Sequence, residues 1–381
     1  MSRRFSLPMT TEPPHQLFSQ ATVEYVGFDK QKANEIWTGW INWPPGPGRY
    51  EIDPDDGDLQ VTFLDWIKGH ASYSNDIWLD DDAGWIDCMR QKGIATELQQ
   101  AIMDPKFKYM RMTGTCITWV RDTIKMRYAG LEDMARTESR YPGSPAGPSH
   151  LLSISGIATD SCNSTRALAA TNESGMTVLF KAIDCARATG LLDAQGQLSR
   201  IGVLESTPPS DFSKNKSMFY FTTSFGMAKR YAAWAKRRTK CESIVIIRIA
   251  IENSVIESIP EGKIQRLHWP SPDWKEVIWR CRTKNQPSRA LRKYADATLV
   301  IGTVANKPNE YYYDFQSGSE LTETSVLKVD GPGGQQPAIQ FAFSSEEEGE
   351  DLLLEAASET FQMFSFISAD MEIWMSETNI G

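Results

Sequence analysis

Residues 218–240 read MFYFTTSFGMAKRYAAWAKRRTK. The first part is apolar and aromatic, the composition of a strand, and the part from Phe225 has the 3.6-residue period of a helix. Ser224 stands where the helix N-cap belongs. At about 100° per residue, Ala228, Tyr231, Ala232 and Ala235 share one face. Lys229, Lys236 and Lys240 fall beside that face, with Arg230 and Arg237 next around. One face is expected to pack on a sheet and the other to carry a ladder of cations. The strand-to-helix order sets the C-terminal part of the chain as α+β.

The positive charge of this helix stands out because the 381-residue chain has a net charge of −9. Residues 214–293 hold 18 Lys/Arg and 6 Asp/Glu, a balance of +12, which leaves −21 on the remainder. A second basic run, RCRTKNQPSRALRKY, contributes Arg280, Arg282, Lys284, Arg289, Arg292 and Lys293. Two basic elements beside a neutral strand make a track for a phosphate backbone. The competing reading is that part of this charge pairs with acidic residues of the same chain.

Residues 1–20 lack the apolar stretch of a secretory signal and read as a disordered arm. No apolar run approaches the roughly 18 residues of a membrane span, and a cytoplasmic protein is expected. Six dispersed cysteines and four separated histidines give no metal spacing, so free thiols and no structural metal are expected. Residues 21–140 read as a helical domain, with helices in DKQKANEIWTGWINW, DGDLQVTFLDWIKGH, ATELQQAIMD and TCITWVRDTIKMRYAGLEDMARTESR. The acidic runs DPDDGD and DDDAGW sit in the connections and read as solvated loops and caps. YPGSPAGPSH, residues 141–150, is rich in Pro and Gly and is taken as the linker to an α+β domain over 151–381. In that domain HLLSISGIA, RIGVLES, SMFYFTT, SIVIIRIAI, ATLVIGTVA, AIQFAFSS and FQMFSFI read as strands. SGMTVLFKAIDCARATGLL, SPDWKEVIWRCRT and SSEEEGEDLLLEAAS read as helices, the first capped by Ser174 and the second by Ser271.

The order FYFTTSFGMAKRY resembles the ADP-ribosyltransferase fold, in which a strand Tyr-Phe leads into a helix bearing a second aromatic. The resemblance implies a split β-sheet domain with the helical region packed on it, and it places Tyr220 and Tyr231 beside a nicotinamide. RIGVLESTPPSDF lacks the His or Arg that this family uses to hold the NAD ribose, and Glu310 and Glu320 lack the context of its late catalytic acid. A longer resemblance covers most of the chain. WPSPDWKEVIWRCRTK, LRKYADATLVIGTVANKPN and AIQFAFSSEEEGEDLL, with the Trp-rich N-terminal region, resemble the fungal arginine-containing cyclodipeptide synthases. It implies a transferase of secondary metabolism that takes aminoacyl-tRNAs, arginyl-tRNA among them, makes cyclo-Arg-Xaa dipeptides and needs no cofactor. NAD would be the cofactor of the alternative reading, and a catalytically inert binding module is the third.

Such a site must hold two aminoacyl ends, deprotonate an α-amine and stabilise an oxyanion. Glu205, Ser206, Tyr220, Ser224 and Tyr231 are the candidate catalytic residues, with Asp211 and Thr223 for substrate. Glu205 would act as base or ammonium anchor, Tyr220 as relay or oxyanion donor, a serine as acyl acceptor, and Glu205 or Asp211 as the fork for a guanidinium. Lys229, Arg230, Lys236, Arg237, Lys240, Arg282, Lys284, Arg289, Arg292 and Lys293 are the candidate tRNA contacts.

Overall fold

IVIIRIAIE, residues 244–252, has eight of its nine residues buried, so neighbours must cover it on both faces and along both edges. The computed structural model describes residues 13–43, 61–140, 160–193, 198–239, 244–331 and 334–377. The chain divides into two compact units, residues 1–146 with 236–241, and residues 147–235 with 242–381. The proposed linker, the strand expected in HLLSISGIA, the first residues of the arm and Lys240 lie outside the described residues.

The first unit is helical in its described residues. Its helices include α1 (Gln20–Val26), α2 (Lys30–Ile41), α3 (Phe63–His70), α4 (Asp82–Gln91), α5 (Thr96–Ile102) and α6 (Cys116–Arg140). Asp29 and Thr62 cap α2 and α3 by accepting from Lys32 N and Asp65 N. Trp40, Phe63 and Trp66 form an aromatic cluster, with Trp40 and Phe63 ring centroids 5.0 Å apart. The acidic DDDAGW spans the end of a connection and the start of α4, with Asp81 at the N-cap position, as expected of a loop and cap. Asp82 opens α4, where an acid complements the helix dipole, and the helix buries Trp85, Cys88 and Met89. Arg127 of α6 is buried, and its guanidinium grips Glu97 at 2.9 and 3.1 Å.

In the second unit a seven-stranded sheet has the order β4-β5-β8-β2-β1-β3-β9. The strands are β1 (Met176–Asp184), β2 (Met218–Thr222), β3 (Ile244–Glu252), β4 (Ile264–Leu267), β5 (Leu299–Thr303), β8 (Ile339–Ser344) and β9 (Gln362–Phe366). β6 (Lys328–Gly331) and β7 (Gly334–Pro337) form a separate hairpin. β4 and β5 are parallel and the other pairings of the large sheet are antiparallel. The fold of this unit is therefore mixed α and β, as expected. One face carries Leu179, Phe219, Phe221, Ile247, Ile249, Phe341 and Phe343, covered by Leu353 and Ala357 of a helix over Glu347–Thr360. The other carries Met218, Val300 and Ala342 against Trp274, Val277 and Ile278 of a helix over Pro272–Arg282. Ser271 caps that helix by accepting from Trp274 N, as expected.

Two expectations fail here. MTVLFKAID is a strand, not a helix, because all nine residues pair with β3. Its Val, Leu, Phe and Ile fit either period, and the long apolar partner decides. Asp184 instead of Ser174 is the N-cap of the short helix that follows, Cys185–Thr189. RIGVLES is a 3-10 turn over Ile201–Leu204, after which Ser206 alone bridges to Met218. Pairing between β1 and β2 is confined to Phe180 and Thr222.

Gly302 lies opposite Leu267 in the parallel pair. A Cβ there would collide with the Leu267 carbonyl oxygen and stand 2.8 Å from Phe212 Cζ. Because the first obstacle is backbone, Gly302→Ala is expected to destabilise the second unit by about 2–3 kcal/mol. Urea unfolding checks this, and an unchanged midpoint would show that β4 can move aside.

Candidate functional site

Strand alternation sends the side chains of Met218 and Tyr220 to one face of the sheet and those of Phe219 and Phe221 to the other. The Tyr220 hydroxyl is 2.8 Å from Ser210 Oγ and accepts from Phe212 N–H at 3.2 Å. Burial, and then the nearby Asp211 carboxylate, push the Tyr220 phenol above its usual range, so it stays neutral.

Asp211 is 4% exposed. Its Oδ1 accepts from Arg282 Nε at 3.0 Å and from Arg282 Nη2. Its Oδ2 accepts from Gln340 Nε2 at 2.6 Å and from Ala305 N–H at 2.9 Å. The remaining Arg282 donor, Nη1, reaches Asn309 Oδ1 at 3.0 Å. Burial works against the Arg282 charge, but Asp211 outweighs it and holds the guanidinium above its usual range. Cys281 beside this pair is pushed up to about 12 by burial and then by Asp211.

These contacts correct two expected roles. Asp211 is a guanidinium fork, but for the protein's own Arg282, and four hydrogen bonds leave it no room for a substrate. Arg282 is not a free phosphate contact. Ser224 caps the helix over Phe225–Arg238 by accepting from Met227 N–H at 3.1 Å, and Thr223 before it is exposed. Tyr231 is partly buried on that helix. Glu205 follows the 3-10 turn and is partly buried, and among the described residues its carboxylate makes no hydrogen bond or ion pair. Ser206 contributes its backbone to the Met218 bridge. Glu205 and Ser206 thus follow a turn instead of ending a strand.

The cationic ladder of the helix is largely spent. Lys229 Nζ donates to Asn163 Oδ1 at 3.3 Å, and Arg230 pairs with Asp330 at 3.4 Å. Lys236 is 8% exposed, so it does not project from a solvated face. Arg237 pairs with Asp104 at 2.7 Å and Arg238 with Asp122 at 2.7 Å, both acids of the first unit, to which residues 236–241 also belong. The apolar face is wider than the period implied, since Ala233 and Trp234 are buried with Ala228 and Ala232. The second run behaves differently. Lys284, Arg289 and Arg292 are exposed and make no ion pair among the described residues, while Lys293 stands 3.6 Å from Asp273.

Sequence reasoning passed over Lys181, because its segment was read as a helix. As a strand residue it shares a face with Leu179 and Ile183 and lies opposite Ile247. Its Nζ donates to the Tyr220 carbonyl oxygen at 3.1 Å and lies 5.8 Å from the Phe221 ring. It makes no ion pair among the described residues. Burial, and then the like charge of Arg187, lower its pKa from the usual 10.5 to about 7. The alternation in MTVLFKAID was the signal that could have found it.

Among the described residues no group of three His, Cys, Asp or Glu side chains is placed to hold a metal ion. No helix among them is long and apolar enough to cross a membrane. The described cysteines are free. A scan of family models found no match to this chain, and searches of curated proteins and of solved structures found none either.

Two measurements probe the buried groups. Arg282→Met strands a buried carboxylate and Asp211→Asn strands a guanidinium. Each is expected to cost about 3–5 kcal/mol in chemical unfolding, and the double variant less than the sum. Single losses below about 1 kcal/mol would show that the pair bears no weight. For Lys181 the sign follows from its depressed pKa. Between pH 7 and 10.5 the unfolded chain binds more protons than the native one. The cost of the buried charge is full below pH 7 and is relieved as pH rises through this window. Stability is therefore expected to rise across it in the native sequence, and that increment to vanish in Lys181→Met.

Proposed function

We propose that this chain is an aminoacyl-tRNA-dependent cyclodipeptide synthase that makes cyclo-Arg-Xaa products and binds tRNA through the segment from Lys284 to Lys293. The observation that carries this reading is the exposure of Lys284, Arg289 and Arg292, which have no acidic partner among the described residues of a chain with net charge −9. Cations left unpaired in an acidic protein suit a polyanion, and the surrounding negative charge favours contact at that segment alone. An aminoacyl-tRNA is an activated ester, so the reaction needs no nucleotide and no cofactor. Glu205 remains an uncommitted carboxylate for an ammonium or guanidinium, whereas Asp211 is withdrawn from that role.

An NAD-dependent ADP-ribosyltransferase is the weaker reading. The Tyr220 hydroxyl, which would flank a nicotinamide, is occupied by Ser210 and the Phe212 amide.

Neutralising three phosphates gives a log–log salt slope of about −2.7, so tRNA affinity should fall roughly 40-fold between 50 and 200 mM salt. Reversing Arg289 and Arg292 to Glu is expected to flatten that slope to about −1 without changing the unfolding midpoint. Mass spectrometry of reactions with charged tRNAs, with NAD consumption followed in parallel, tests the chemistry. A cyclo-Arg-Xaa mass supports the reading; NAD turnover with no dipeptide overturns it.

A further inference from the structure

We propose that a cleft beside the exposed cations takes the aminoacylated terminal nucleotide of the tRNA, with Asp273 receiving the α-ammonium of the amino acid and Lys275 the terminal phosphate. The inference rests on the aminoacyl-tRNA reading above and adds to it a place for the reacting end.

The cleft has a volume of about 500 Å³, within the range of small-molecule sites. One wall is the start of the helix Pro272–Arg282, and another is the turn that carries Ser288, Ala290 and Leu291. Arg289 and Arg292, the exposed cations read above as phosphate contacts, are chain neighbours of these lining residues. Unpaired charge and a substrate-sized space are independent features, and they coincide in one segment. A single strand that lays its phosphates on Arg289 and Arg292 brings its end to the mouth of the cleft.

The polar groups on the walls divide into spent and unspent. Glu276 is spent, since Oε1 accepts from Arg280 Nε at 2.6 Å and Oε2 from Gly318 N–H at 3.1 Å. Asp273 is half spent. Its Oδ2 accepts from the Tyr294 hydroxyl at 2.6 Å and stands 3.6 Å from Lys293 Nζ, while Oδ1 makes no hydrogen bond among the described residues. Lys275 has no ion pair among them, and its ammonium lies 4.9 Å from the centre of the Trp269 ring. The Ser288 hydroxyl makes no hydrogen bond among them either. Pro270, Pro272, Ala290 and Leu291 supply the apolar remainder of the lining.

An open carboxylate oxygen, an open ammonium and a hydroxyl, set among rings and methyl groups, suit a ligand with a cation, an anion and a flat apolar body. The end of an aminoacyl-tRNA carries all three, as α-ammonium, phosphate and adenine. A free amino acid lacks the flat body and the phosphate, and an uncharged nucleotide lacks the cation. The Tyr294 hydroxyl already fixes the Asp273 carboxylate, so little order is lost when the ammonium arrives. These groups make and break no bond. Their part is to hold the ester in place for the amine that attacks it.

The probe is 3′-arginylamino-3′-deoxyadenosine 5′-phosphate, in which an amide replaces the reactive ester. Its binding to the full chain is compared by calorimetry with that of adenosine 5′-phosphate. The arginylated probe is expected to bind about 10-fold more tightly, the worth of one hydrogen bond between charged groups, and to lose that advantage when its α-amine is acetylated. Asp273→Asn keeps an acceptor for Tyr294 and removes the charge. It is expected to bring the two ligands to equal affinity, whereas Lys275→Met should weaken both by about 10-fold. Ala290→Trp fills the cleft from an exposed position and is expected to weaken both as well. Equal affinities in the native protein, a preference that survives acetylation or Asp273→Asn, or undiminished binding in Ala290→Trp each overturn the proposal. If charged tRNAs give no cyclodipeptide while Asp273→Asn still abolishes a preference present in the native protein, the synthase reading fails and the cleft stands. If Asp273→Asn makes cyclodipeptide with an unchanged KM for charged tRNA, the cleft fails and that reading stands.

Discussion

The ion pair between Asp211 and Arg282 holds together parts of the second unit that the chain itself leaves far apart. The carboxylate joins the loop before β2 to the end of the helix Pro272–Arg282, to the backbone just past β5, and to Gln340 on β8. Burying two charges is expensive, and the cost is met only when every donor and lone pair is engaged. Here it is met by four hydrogen bonds from three residues, and a shift of any one element would leave a charge short of a partner. The same loop supplies Ser210 and Phe212, whose contacts hold the Tyr220 hydroxyl. A residue type that suggests substrate recognition in the sequence thus acts as the joint of the scaffold.

Charge counting found the basic region but could not divide it. Arg282 and Arg292 belong to one run, yet one is walled in by a carboxylate and the other is exposed. Along the helix Phe225–Arg238 the periodicity identified the alanine face, while the acids that take Arg237 and Arg238 come from Asp104 and Asp122, more than a hundred positions earlier. Pairing at that separation leaves no local trace. What was open in advance was the choice between a polyanion track and intramolecular pairing. The structure gives the helix to the second and leaves the 284–293 run available to the first.

The architecture was legible where the pattern admitted one period. The strands β2, β3, β5, β8 and β9 and the capped helix Pro272–Arg282 fall where their composition puts them. MTVLFKAID failed because its apolar residues satisfy both periods and only β3 arbitrates. That error also concealed Lys181, since a lysine on a helix is read as solvated and a lysine on an apolar strand face is not. The short β4 and the hairpin of β6 and β7 carry too few apolar residues to announce themselves.

The single Phe180–Thr222 pairing makes the sheet two ladders stitched at one point. β1 and β3 share nine paired positions on one side of the stitch, and β2 and β8 share five on the other. Hydrogen-bonded units of this kind open independently when few bonds cross between them. The seam is then the line along which the sheet can breathe, with each ladder keeping its own register while the two change their mutual twist. Segments such as Glu205–Thr207, which pair with β2 at the single residue Ser206, lie where that small motion is felt most.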